Sequence, residues 1–319
     1  MTQRSQLKKR LSFQNEMWLF SLVVTLMLLF VTGSEAINDS DQGTTPQTHV
    51  YTENPISCKK EKEDSKQKIK LKLPTCPNNP SSGFALDCAD VFRAGHANSG
   101  VAKVWPKSRA IQDAPFNVYC DMETDGGGWT VIQRRGNFSR FSKDYFYKNW
   151  TNYKMGFGNI EKDFWLGNDN IFALTHQKLY SVRFDFKSVD GEERYALYDT
   201  FWIEDADHQY KLHIKDYSGD AGDSMTKEHD GQKFSTKDRN NDNQKGKEIC
   251  AQKYKGAWWY NTCHSANLNG LYLYGAHDTY ADGVVWKTWK GFRESLAETE
   301  IKIRPKDFVK APIVNAKRL

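Results

Sequence analysis

Six cysteines carry the most specific chemistry of this 319-residue chain: Cys58, Cys76, Cys88, Cys120, Cys250 and Cys263. An even count points to disulfides if the chain is exported. No Cys-x-x-Cys pair occurs, which argues against a zinc site. Neither Gly-x-Ser-x-Gly nor His-Glu-x-x-His is present, so the usual hydrolase nucleophile and metalloprotease signatures are missing. Acidic residues are plentiful, but no two stand out as a general acid–base pair. The expectation is a binding protein, not an enzyme. Glycosylation sequons begin at Asn38, Asn137 and Asn149, whereas Asn79 is followed by Pro80 and fails.

The N-terminus supports export. Lys8, Lys9 and Arg10 precede an apolar run at 17–32, and Ser34 and Ala36 supply the small residues of a cleavage site. Residues 1–36 therefore read as a signal peptide. A retained anchor is the rival reading, but the run is short against the ~20 residues that a span needs. No membrane span is expected after cleavage, and the protein is expected to be secreted and extracellular. Losing residues 1–36 removes four basic and two acidic side chains, so the formal charge falls from +5 to +3, too mild to argue for nucleic acid. The chain is 39% hydrophobic and 13% aromatic, enough for a dense core. That many Tyr and Trp also suggest a ring-lined surface site, since they combine rigid contact area with a polar tip.

These groups need a scaffold, and the chain changes texture along its length. Residues 37–80 are polar, then lysine-rich, and read as a disordered, solvated linker. A weak polyanion-binding patch is the sharper reading of the lysine run. No collagen repeat or sustained heptad is present. From residue 82 onward short strands dominate. Runs at 116–120 and 129–134 flank Gly126, Gly127 and Gly128, which permit positive φ in a tight connection. Asn170 is expected to cap a helix over 171–174. Alternating runs at 180–186, 195–203 and 210–214 predict an antiparallel meander. Between about 219 and 291 the periodicity dissolves, predicting a loop-built part held by a disulfide and an ion. Residues 306–319 read as a basic tail.

Three blocks then carry a family resemblance: CDMETDGGGWTVIQRR at 120–135, FWLGNDNI at 164–171 and WWYNTCHSANLNG at 258–270. Together they resemble the fibrinogen C-terminal-related domains, most of all the tachylectin-type lectins and then the ficolins. The resemblance covers about 83–305. It implies an α+β globe over 81–305, with a small disulfide-bonded N-terminal part, a central antiparallel sheet with short helices, and a loop-rich ligand- and calcium-binding part. It implies disulfides Cys88–Cys120 and Cys250–Cys263. Cys58 and Cys76 are left either to pair with each other or to link two chains.

The resemblance also places an acetyl pocket beside the second disulfide. Carried over by position, its residues are Tyr254, Cys263, His264, Tyr280, Ala281 and Phe292, the last standing where the family usually has Tyr. A cis Thr262–Cys263 bond is implied as well. The chemistry is sensible in itself. Rings from Tyr254, Tyr280 and Phe292 would desolvate an acetyl methyl, worth about 0.8 kcal/mol per buried carbon. Ala281 would leave room for it. An unpartnered buried amide costs ~1–3 kcal/mol, which favours ligands that pair it.

Residues 235–242 resemble the family's calcium loop. The implied donors are Asn240, Asp242, and the carbonyls near Gln244 and Gly246. Calcium wants several oxygens on a tight loop. Asn240 stands where an Asp is usual, which predicts weakened binding. An Asn/Asp-rich surface loop closed by Asx turns is the plainer reading.

The combined expectation is a secreted lectin for N-acetylated glycans, acting in innate defence and agglutination. It is expected to be a homo-oligomer, because weak single sites need avidity. The alternative is an extracellular protein-binding or signalling module of the same fold.

Overall fold

The computed structural model describes residues 84–138 and 141–309. The expected signal peptide at 1–36, the linker at 37–80, the Asn38 sequon, Cys58, Cys76 and the end of the tail at 310–319 all lie outside the described residues.

Helix α1 (Cys88–Arg93) opens the globe. The Asp87 carboxylate caps it by accepting from the Asp90 N–H at 3.0 Å. Strands β1 (Gly100–Val104) and β2 (Phe116–Asp121) follow, and Cys88–Cys120 ties α1 to β2 as expected. The three glycines then adopt positive φ of 87°, 80° and 76° before β3 (Trp129–Arg135). A Cβ on Gly127 would collide with the Met122 carbonyl, so the turn requires glycine there.

Helix α2 (Trp150–Met155) and short strands β4 (Phe157–Gly158) and β5 (Phe164–Trp165) lead to helix α3 (Asn168–Thr175). Asn170 does not cap α3. It lies within the helix, and its side-chain amide donates to the Leu166 carbonyl at 2.9 Å. Gly167 takes the cap position at φ 104°, because Met155 backbone packs where a side chain would stand.

Strands β6 (Tyr180–Lys187), β7 (Glu193–Ile203) and β8 (Leu212–Gly219) form the expected antiparallel meander. Strand β8 starts later and runs further than its hydrophobic alternation indicates. Tyr210 sits at φ 50° in the preceding turn, and the outer half of β8 is a mostly polar edge.

The remaining elements are short: helices α4 (Thr226–His229), α5 (Cys250–Lys253) and α6 (Lys287–Lys290), and the β9 (Gly275–Ala276) and β10 (Glu294–Ser295) pair. Strand β11 (Glu298–Pro305) closes the fold. It inserts between β3 and β6, so the main path reads β1-β2-β3-β11-β6-β7-β8, with β5 bridging β3 and β4. Lys302 on β11 is buried among Asp121, Asp185 and Glu300 at 2.7, 2.9 and 2.8 Å. Burial alone would lower its ammonium pKa, but the three carboxylates outweigh this and raise it. The packed globe continues past Pro305: the Lys306 N–H reaches the Leu179 carbonyl at 2.9 Å and Phe308 packs edge-on to Phe92.

Rings join the loop-built part to the sheet. Trp165 on β5 packs against Trp258, Trp259 and Phe234 with centroids 6.5, 6.2 and 5.9 Å away. Among the described residues, no helix is long and apolar enough to cross a membrane.

Candidate functional site

The loop after α5 is tied back by Cys250–Cys263 as expected, and Thr262–Cys263 is cis. His264 follows directly. The ring of Tyr254, at the end of α5, meets it edge-on at 4.5 Å. The Phe292 ring meets it edge-on at 5.8 Å, and Tyr260 lies tilted at 5.7 Å. Tyr280 makes no ring contact with His264. It packs on Phe292 at 5.3 Å and is 56% exposed, at the outer rim. Ala281 is buried, and its N–H donates to the Phe292 carbonyl at 2.9 Å, which brings the 280–281 turn over the loop after α6. Its φ of 66° is left-handed, a conformation that disfavours β-branched replacements. The six residues expected at the pocket thus gather in one place.

His264 keeps part of its surface open, but both ring nitrogens are shielded and lack a well-formed hydrogen bond. Burial, then the nearby His229 ring, pushes its pKa down to about 3 against a partial pull from the Ala281 carbonyl. It is neutral at pH 7.

Three residues that support the site went unnoticed in the sequence. His229, at the end of α4, is fully buried. Its Nε2 accepts from the N–H groups of Ser265 and Ala266 at 3.2 and 3.1 Å, which fixes the proton on Nδ1, 2.8 Å from the Trp259 carbonyl. Burial holds its pKa down to about 4. Asn267 is also fully buried. Its amide donates to the carbonyls of Tyr254 and Gly283 at 3.0 and 3.3 Å, and its oxygen accepts from the Tyr260 hydroxyl at 2.5 Å. One side chain thereby joins α5, the cystine loop and the 280–283 turn. Tyr260 is the third, adding a buried ring that the spacing argument left out. In the sequence, each of these reads as an ordinary polar or core residue. From the sheet, Gln133 and Arg135 on β3 donate to the Leu268 carbonyl at 3.1 Å and anchor the following turn.

The calcium candidates lie on a loop closed by its own hydrogen bonds. The Asn240 side-chain oxygen accepts from the Asp242 N–H at 3.0 Å. The Asp242 carboxylate accepts from the Gln244 and Cys250 N–H groups at 3.0 and 2.8 Å. Gln244 and Gly246 are exposed. Asp242 is the one carboxylate in the proposed set, and both its oxygens already serve the backbone. With one carboxylate in the set, these residues bring little charge to the six or more oxygens that calcium takes, which weakens the fit. Among the described residues, no three His, Cys, Asp or Glu side chains cluster to hold a metal.

The acceptor asparagines Asn137 and Asn149 are both exposed, and Asn149 also caps α2 through the Asn152 N–H at 3.0 Å. A separate hollow of ≈ 460 Å³ lies around Lys302, Glu300 and Arg183 and shares no residue with the His264 pocket.

Residues 84–306 match the family described as the C-terminal globular domain of fibrinogen beta and gamma chains. Techylectin-5A of Tachypleus tridentatus is 59% identical over 222 residues, covering 70% of this chain and 74% of that protein. A techylectin-like protein of Phoneutria nigriventer is 52% identical over 236 residues, covering 74% and 88%. Among solved structures, the fibrinogen-like globe domain of human ANGPTL2 superposes with a TM-score of 0.65 at 40% identity, over 70% of this chain and 99% of that domain.

Proposed function

The chain belongs to the family of fibrinogen beta and gamma C-terminal globular domains, and from that premise we propose that it is a secreted lectin that binds N-acetyl groups of glycans without catalysing a reaction. One observation carries the reading: a neutral, partly open His264 ring held among Tyr254, Tyr260 and Phe292 beside the Cys250–Cys263 bridge. The rings offer an apolar seat for a methyl group. A Tyr hydroxyl or the backbone N–H of Cys263 or His264 would meet the acetyl carbonyl. The names of two relatives, Techylectin-5A and the techylectin-like protein, support a lectin-like role.

A single shallow pocket of this kind binds weakly, so useful capture needs several copies acting together. Cys58, Cys76 or contacts between globes would supply them, and Asn137 and Asn149 would carry glycans. Such a protein would agglutinate acetylated surfaces in innate defence. Calcium takes no part in this reading.

The test is retention of the full secreted chain on acetylated resin. Elution by free N-acetylglucosamine, with none by glucosamine, is the expected result. Retention that neither sugar releases would instead select a protein-binding module, and no retention at all would sink the lectin reading.

A further inference from the structure

Each of the three outer rings of the pocket carries a cation. Lys253 Nζ lies 5.4 Å from the Tyr254 ring centre, Lys287 Nζ 5.6 Å from that of Phe292, and the Arg293 guanidinium 5.7 Å from that of Tyr280. All three side chains belong to exposed residues. None has a carboxylate within 4 Å among the described residues. Lys290, one turn along α6 from Lys287, shows the contrast: it faces Glu192, Asp190 and Glu294 at 3.1, 3.6 and 3.8 Å. Arg293 is also held in place, donating to the Asp278 carbonyl at 2.7 Å. Asp278 and Asp282 share the Tyr280 loop, but the Asp282 carboxylate is already engaged by the Thr279 hydroxyl at 2.6 Å and faces His277.

We propose that this cationic rim selects N-acetylated sugars that also carry a negative charge, a carboxylate or a sulfate, over their neutral counterparts. The inference rests on the acetyl-pocket reading and adds a second recognition element to it. With the acetyl group seated against His264, an acidic substituent on the same sugar falls among Lys253, Lys287 and Arg293. Three cations without a carboxylate partner, one at each outer ring, serve several glycosidic orientations, and each gains little alone because water screens it. Together they bias both affinity and encounter.

The test compares three sugars on the full secreted chain by calorimetry: N-acetylglucosamine, N-acetylmuramic acid (the same sugar bearing a lactyl carboxylate) and the methyl ester of that acid. In 50 mM salt the acid is expected to bind about five-fold more tightly than either neutral sugar. In 1 M salt, where the Debye length shrinks to about 3 Å, the preference should vanish. The triple variant Lys253→Gln, Lys287→Gln, Arg293→Gln should lose it as well. If that variant does not fold, the salt and ester comparisons on the unaltered chain still decide. Equal binding of all three sugars at low salt overturns the cationic rim and leaves the acetyl pocket standing. Binding of none of them overturns the pocket, and the rim with it.

Discussion

The Asn267 side-chain amide donates to the Tyr254 carbonyl across 3.0 Å, joining the end of α5 to the loop that carries His264. The same amide reaches Gly283. The pocket wall is therefore assembled around one buried polar group, and that group is sensitive to chemistry more than to size. Replacing Asn267 with Asp keeps the shape and removes both donors, leaving carbonyls facing a carboxyl. Loss of about 2–3 kcal/mol in urea unfolding is expected, together with weaker retention on acetylated resin. Wild-type stability in the Asn267→Asp protein would show that the amide is not the organising group.

His229 makes the fold acid-sensitive in a defined window. Its folded pKa of about 4 lies below the ordinary value of 6.5, so the unfolded chain takes up a proton that the folded chain refuses. The stability contribution is complete above 6.5 and declines as pH falls toward 4, by about 1.4 kcal/mol per unit. His264, at about 3, adds a similar slope. Carboxylates such as Asp121, held low by Lys302 despite burial, act only below 3.8. Denaturation midpoints at pH 7, 6, 5 and 4 check this, and a flat profile down to pH 4 contradicts it.

Phe292 lacks the hydroxyl that the resemblance places at its position. Its ring is partly open and contacts both His264 and Tyr280. Phe292→Tyr should leave the thermal midpoint within a degree or two while changing affinity for N-acetylglucosamine two- to ten-fold, the range of one added hydrogen bond. An unchanged affinity would mean that this ring edge does not face the ligand.

The 240–246 loop closes on its own backbone, so chelation should not matter. Adding EDTA is expected to shift the thermal midpoint by less than about 1 °C and to leave sugar elution unchanged. Asn240→Asp adds a second carboxylate two residues from Asp242 and should make the midpoint rise with added calcium. A fall of several degrees on chelating the unaltered protein would show that the loop rearranges to take an ion.

Several features are local enough to be written in the chain itself. The positive-φ turn at Gly126–Gly128 follows from residues that adopt it at least steric cost, and the period-two run on β6 follows from one buried face. The pocket positions and both disulfides were legible only through the family resemblance that the three sequence blocks carry. Other features depend on residues far apart in sequence. No periodicity announces that β11 slots between β3 and β6, because its registers, such as Ile301 with Phe184 and with Gln133, close loops of more than a hundred residues. Nor does any motif mark His229 or Asn267 as buried: polar side chains resemble surface loop residues until folding removes water and leaves their neighbours as the remaining partners. Which lysines go unpaired is settled the same way, since Lys290 finds its acids on the β6–β7 turn and β10 while Lys287, on the same short helix, does not. Short-range pattern thus determined many of the local elements, and the cystine frame followed only from the family resemblance. Long-range packing decided which polar groups became the scaffold of the pocket.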